Sequence, residues 1–330
     1  MVFLALIFIA IIVFYFWAGS SNLTTLEYAQ VKNYDTGSSL PVQDTLSIIS
    51  FNIGYLSGMT NNLPVRPDKD FFKSNLDKAI ELFRDLAPAF IGFQEIDYMA
   101  KRSYYMNQVD SIANHTGFSY GAYVVNWDKR YVPFPYWPIR YHFGKLISGQ
   151  AILSEYPVLS NKRIVLPKPK DNPFFYNAYY LDRLIQVVEM EVQGQILIIL
   201  NVHLEAFDQQ TRETQASILK EIVSHYIDRF PLLLIGDFNS HPPFHDVQNH
   251  DENTIRTLLS IKGIRMSVNE VDYMVDPMKF YTYDSRHPTE MIDYVFYNEK
   301  ILPVSFEVLR ESPEISDHLP VYFKFIIKKN

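Results

Sequence analysis

The chain has no cysteine among its 330 residues. Disulfides, thiolate metal sites and a cysteine nucleophile are therefore excluded, while either redox compartment stays open to it. It also lacks a surplus of positive charge: 30 Lys and Arg stand against 37 Asp and Glu, a net charge of −7. That balance argues against broad, salt-driven capture of nucleic acid and leaves room only for a local basic groove. No G-x-x-x-x-G-K-[ST] loop occurs, which argues against a nucleotide-driven motor. H-E-x-x-H is absent too, which argues against a zinc protease. There is no internal repeat and no low-complexity tract.

What is present begins with an apolar run, Val2 to Ala18, in which no face is polar. As a helix it measures about 25 Å at roughly 1.5 Å per residue, close to a hydrocarbon core of about 30 Å. Tyr15 and Trp17 stand near its end, where interfacial aromatics are common. A membrane anchor over residues 1–19 is the expectation. A cleaved signal peptide is the alternative, but no Lys or Arg precedes the run and Ala18-Gly19-Ser20-Ser21 makes a weak cleavage site. The flanking charges give little guidance to topology, and an extracytoplasmic domain is the favoured arrangement. Residues 20–44 are polar and aperiodic, with Asn22, Thr24, Thr25 and Gly37 among them, and read as a linker.

From residue 45 onward strands and helices alternate, the pattern of an α/β domain running to residue 330. Thr45–Asn52 and Ala89–Phe93 read as strands, with an amphipathic helix over Asp70–Leu86 between them, closed by Pro88. A second helix is expected over Tyr104–His115. Strands follow at Ser119–Val125, Gln150–Ser154, Leu184–Val192 and Gln195–His203, the last two joined at Gly194. Asp208–Arg229 is the clearest helix, capped by Asp208. Met291–Tyr297 and Leu319–Ile327 are strand-like.

The centre of the chain is P-L-L-L-I-G-D-F-N-S-H-P-P, Pro231 to Pro243. Leu232 to Ile235 suit a strand buried on both faces, and Gly236 is expected to end it and deliver Asp237 and Asn239 at the sheet edge where ligands collect. Other strand ends carry Asn52, Gln94-Glu95, Asn201-Val202-His203, Asp293 and Ser316-Asp317-His318. Each alone is ordinary: a polar turn, a solvated acid, a satisfied histidine. Asp293 is harder to dismiss, since Ile292, Tyr294 and Val295 flank it and a buried acid needs a partner. Carboxylates and an Asn are hard oxygen ligands of the kind Mg²⁺ accepts, and histidines with further acids can activate water and stabilise charge on phosphorus.

In this order the set Asn52, Gln94-Glu95, N-x-H at Asn201–His203, G-D-F-N at Gly236–Asn239, I-D-Y at Ile292–Tyr294 and S-D-H at Ser316–His318 resembles the endonuclease/exonuclease/phosphatase superfamily. The resemblance covers almost everything after residue 44 and is specific for the superfamily, not for a substrate; a neutral-sphingomyelinase-like or a nuclease-like member fits equally. It implies a four-layer α/β sandwich, two mixed β-sheets with helices outside. It also implies that Glu95, Asn52 and Asp317 bind Mg²⁺ or Mn²⁺. By the same resemblance His318 is the general base, oriented by Asp293, while Asp237 handles a proton and is positioned by Asn239. His203 holds a phosphoryl oxygen, and Arg183 and Asn201 contact substrate.

Three readings compete: a membrane-anchored lipid phosphodiesterase, a nuclease, and a non-catalytic binding protein on the same fold. The complete constellation counts against the third. Trp127 to Lys145 is rich in aromatics and cations and broken by Pro133, Pro135 and Pro138, so a loop is expected there. It suits a membrane face, a nucleic-acid platform or plain packing over the sheet. The anchor and the negative charge favour a membrane lipid over nucleic acid as the phosphate ester, and the expected state is a monomer.

Overall fold

A run such as Leu232–Ile235 is stable only where both faces of its strand are covered. The computed structural model, which describes residues 1–34, 43–245 and 252–329, covers it with a second sheet on one side and helices on the other. The strands are β1 (Ala29–Asn33), β2 (Leu46–Asn52), β3 (Phe90–Asp97), β4 (Tyr120–Val132), β5 (Gly144–Ser154) and β6 (Val158–Val165). They continue as β7 (Leu184–Val192), β8 (Gln195–His203), β9 (Leu232–Asp237), β10 (Ile264–Met266), β11 (Asp293–Asn298), β12 (Ile301–Val308) and β13 (Val321–Ile327). The helices are α1 (Val2–Gly19), α2 (Lys69–Leu86), α3 (Gln108–Thr116), α4 (Phe174–Asn177), α5 (Gln209–Tyr226), α6 (Thr254–Leu259) and α7 (Glu270–Val275).

A seven-stranded sheet runs β1-β4-β5-β3-β2-β13-β12 and a six-stranded sheet runs β10-β11-β9-β8-β7-β6. Both are mixed, since β2 and β3 pair in parallel, as do β8 and β9, within otherwise antiparallel sheets. Between the sheets lies an apolar layer that includes Ile48, Phe90, Ile199, Leu233, Val295 and Phe323. Outside the first sheet, α2 and α3 bury Phe72, Phe83 and Ile112 against Phe51 and Phe93. Outside the second, α5 and α6 bury Leu219, Val223 and Leu258 against Leu200 and Leu234. This is the four-layer α/β sandwich expected.

The caps explain where the helices start. Asp68 accepts from the Phe71 N–H at 2.8 Å, and Asp208 from the Thr211 N–H at 2.7 Å. The second expected helix begins later than Tyr104, because Tyr104 and Tyr105 both have positive φ and Asn107 provides the cap. Strand β3 does not stop at Phe93. A bulge opposite β5, with Glu95 at φ 52°, carries it on to Asp97.

Three further expectations change. Gly236 lies inside β9 and makes no turn; a Cβ there would stand 2.0 Å from the Val202 carbonyl of β8, so glycine is required by the approach of two strands. The segment Trp127–Lys145 is not all loop: β4 runs to Val132 and β5 begins at Gly144, confining the three prolines to the hairpin tip. The expected linker, 20–44, is not a loose tether through residue 34. Asp128 accepts hydrogen bonds from the Asn22 backbone and side chain and from the Leu23 N–H, and β1 then pairs with β4. Residues 35–42 of that linker lie outside the described residues.

The sheets are also joined by polar groups. Fully buried Gln94 donates to Asn201 Oδ1 at 2.6 Å, and Asn201 Nδ2 donates to the Phe93 carbonyl and to Gln186 Oε1. Asn201→Ala strands these partners inside the sandwich. It should lower unfolding stability by about 2–4 kcal/mol, since each buried group left unpaired costs roughly 1–3 kcal/mol. Urea unfolding of the full chain in detergent measures this, and a loss within error of zero would contradict the assigned role.

Candidate active site

The parallel register of β8 and β9 sets His203 beside Asp237, and the antiparallel register of β9 and β11 sets Asp293 opposite it. From the other sheet, β2 ends at Asn52 and β3 bulges at Glu95. The Ser316–His318 turn closes the cleft just before β13. Gly54, at φ 48°, allows it in: a Cβ there would lie 3.0 Å from both Asp317 Oδ1 and Ser316 Oγ.

Asp237 Oδ2 is the hub. Asn52 Nδ2 donates to it at 2.9 Å, His203 Nε2 lies 3.4 Å away and His318 Nε2 3.8 Å away. Its second oxygen accepts from the Asn239 backbone N–H at 2.9 Å. On the far side of the His318 ring, Nδ1 is 2.9 Å from Asp293 Oδ2. Asn52 Nδ2 also reaches Glu95 Oε1 at 3.3 Å, and Asn61 Nδ2 bridges Glu95 and Asp317 at 3.4 and 3.1 Å.

Charge is divided unevenly among these groups. Burial pushes Asp237 up to about 7, with His318 and Asn52 pulling against it and Asp293 reinforcing it. Burial also opposes a charge on His318, but Asp293, Asp237 and Asp317 outweigh it and hold the imidazole well above its usual range. His203 goes the other way: burial, the Arg183 cation and His318 keep it well below. Burial raises Asp317, opposed by His318.

Residues 49–318 match the sequence profile of the Endonuclease/Exonuclease/phosphatase family. The chain belongs to that family. Among solved structures, its fold is similar to an endonuclease/exonuclease/phosphatase from Beutenbergia cavernae at 19% identity and a TM-score of 0.61, covering 87% of this chain and 72% of that one. It is similar to a mannosyl-6-phosphatase from Bacteroides thetaiotaomicron at 16% identity and a TM-score of 0.59, covering 86% of this chain and 100% of that one. It is also similar to D. rerio TDP2 complexed with single strand DNA product, at 15% identity and a TM-score of 0.58, covering 86% of this chain and 99% of that one. Among curated proteins, none matches the sequence. Members of the family are mostly hydrolytic phosphoesterases and generally depend on a divalent metal.

The residues present fit such a metal. Glu95 and Asp317 aim their oxygens at one point, now met by the Asn61 amide, and Asn61 Oδ1 is buried without a hydrogen-bond partner. All donors there are hard oxygens, as Mg²⁺ and Mn²⁺ require. Asn52 has its nitrogen facing the carboxylates, so its amide must turn over to join them. Asp237, Asp293 and His318 also place ligand atoms within 4.8 Å of one another. There, however, His318 Nδ1 and Asp293 Oδ2 are bonded to each other, which suits an oriented imidazole better than a cation cage.

Nine of the ten residues singled out from the sequence line this cleft or touch one that does. Asn201, expected to contact substrate, does not: it is fully buried and its amide serves the join between the sheets. Arg183 is also buried. Its guanidinium bonds to His203 Nε2 and lies 3.6 Å from Glu205, which places it behind His203. Sequence reasoning missed Asn61, which no motif marks. It also missed Glu205, visible two residues after His203, and Tyr180, whose hydroxyl donates to Glu205 at 2.8 Å.

His318→Ala and Asp293→Asn should each lower turnover about 10²–10⁴-fold, the usual worth of a positioned imidazole at a reacting phosphate and its orienter. Because they act as a unit, the double variant should lose little more than the worse single one. Steady-state kinetics of the three variants would contradict the pairing if the losses simply multiplied.

Proposed function

We propose that this chain is a membrane-anchored, divalent-metal-dependent phosphoesterase whose favoured substrate is a phosphodiester in a membrane lipid. The observation that carries the hydrolytic reading is the convergence of Asn52, His203 and His318 on Asp237 beside the paired carboxylates Glu95 and Asp317. Glu95, Asp317 and Asn52 would hold a Mg²⁺ or Mn²⁺ ion, which would supply charge neutralisation at a phosphoryl oxygen.

Asp237, with a carboxyl raised to about 7, takes the proton from the attacking water, steadied by Asn52 and the Asn239 N–H. This exchanges the roles inferred from family resemblance. Three carboxylates hold His318 in its protonated form, which has no lone pair to offer a water. The imidazolium, oriented by Asp293, instead meets charge building on the phosphoryl group. On the opposite side the Arg183 guanidinium, backed by Glu205, lends positive character to the neutral His203 ring. The lipid preference rests on α1, the one described helix long and apolar enough to cross a membrane, and on the net charge of −7, which disfavours capture of a polyanion.

A protonated Asp237 cannot accept a proton, so turnover should rise as pH increases through about 7 and level off above it. A pH–rate profile on a soluble phosphodiester checks this. A rise displaced well above that range would return the base role to His318. Substrate class is tested with the full chain in vesicles with Mg²⁺, against phospholipids, single-stranded and duplex DNA, and a sugar phosphate. Lipid turnover is expected. Turnover of DNA with none of lipid would overturn the lipid reading alone, and no turnover of any would overturn the hydrolytic one.

A further inference from the structure

The apolar run of α1 ends at Ala18 and polar sequence begins at Ser20, so a bilayer crossed by this helix has its boundary near Trp17 to Ser20. The domain does not hang free beyond that point. Lys129 Nζ donates to the Gly19 carbonyl at 2.9 Å, the Arg130 N–H to the Ser20 carbonyl at 3.0 Å, and Asp128 holds Asn22 and Leu23. Lower down, the Tyr131 ring packs on Phe14 at 5.6 Å, and the Tyr179 hydroxyl donates to the Tyr15 carbonyl at 2.8 Å. Phe14 lies about 9 Å below Ser20 along the helix, at roughly 1.5 Å per residue. Strand β4 and the segment after α4 are thereby fixed against the last turns of α1.

Beside this clamp the surface is aromatic. Trp137 and Tyr136, at the β4–β5 hairpin tip, are 75% and 65% exposed, and Phe174 in α4 is 80% exposed. The segments that carry the two sites adjoin: the Trp127 indole of β4 donates to the carbonyl of Tyr179, just past α4, at 2.8 Å, and both segments pack on α1, Tyr131 on Phe14 and Tyr179 on Tyr15. The α4 side of the patch leads to the cleft: Tyr176 stacks on Tyr180 at 5.5 Å, Tyr180 donates to Glu205, and Glu205 pairs with Arg183. Trp and Tyr favour the bilayer interface, and Arg140 in the same hairpin tip offers a charge to lipid phosphates.

We infer that the β4–β5 hairpin tip and α4 form a lipid-docking surface, held against the bilayer by the α1 clamp and opening beside the catalytic cleft. This rests on α1 being a membrane anchor, and it deepens the lipid reading by fixing which face of the domain meets the membrane.

The absence of cysteine lets single nitroxide labels be placed without background. Ile9→Cys, Trp137→Cys, Phe174→Cys and Val304→Cys, the last on β12 at the far edge of the first sheet, are labelled in the full chain and reconstituted in phosphatidylcholine–phosphatidylserine vesicles. Electron paramagnetic resonance then compares collisions with oxygen and with a water-soluble nickel chelate. Labels at 137 and 174 should show an oxygen-to-nickel ratio several-fold above that at 304, approaching the value at 9. Phe174→Cys carries the same reading should Trp137→Cys fold poorly. Labels at 137 and 174 as open to nickel as 304, with 9 shielded, would overturn the docking surface alone. A label at 9 open to nickel would overturn the anchor and the docking together.

Discussion

A carboxylate that is 1% exposed must be compensated, and Asp237 is the group around which compensation is built. Its two oxygens draw on the Asn52 amide and the Asn239 N–H, and two imidazoles face it from β8 and from the turn before β13. Burial that would leave an isolated acid inert here raises the Asp237 carboxyl to about 7. The two histidines diverge for the same reason: His318 has carboxylates around it, whereas His203 has the Arg183 cation.

That arrangement depends on two sheets keeping a fixed relation, because Asn52 and Glu95 come from one and Asp237 and Asp293 from the other. Apolar packing between sheets is weakly directional, whereas the Gln94–Asn201 hydrogen bonds fix one register. The glycine at 236 adds a second constraint, since only without a Cβ can β9 lie this close to Val202. Residues in the same motifs thus divide their work. Glu95 faces the cleft while Gln94 holds the sheets; His203 faces it while Asn201 holds them.

Much of this was legible in the sequence because the acting groups sit at ends of buried strands, where a polar residue after an apolar run stands out. The same logic placed β7, β8 and β9 almost to the residue and capped α5 at Asp208. It failed where the signal is not local. The edge strands β1 and β12 are mostly exposed, so their short alternations, Ala29-Gln30-Val31-Lys32 and Val304-Ser305-Phe306-Glu307-Val308, mark little buried surface. Gly236 read as a turn because the neighbour that requires it lies on another strand. Asn201 read as a site residue because its partners lie across the sandwich. Asn61 could not be found at all, since it matters only through the two carboxylates that folding brings to it.

The apolar helix is tied to β4 and to the segment after α4 through hydrogen bonds at residues 19–23 and through contacts at Phe14 and Tyr15. The chemistry proposed for the cleft presumes that Glu95 and Asp317 hold a cation, which would offset their charge beside that of a phosphate. The most direct test is hydrolysis of a soluble phosphodiester by the full chain, before and after excess chelator and on re-addition of Mg²⁺ or Mn²⁺. The account predicts loss of turnover on chelation and its return with either ion in the wild-type chain, with no return in Glu95→Gln; undiminished turnover in excess chelator would contradict it.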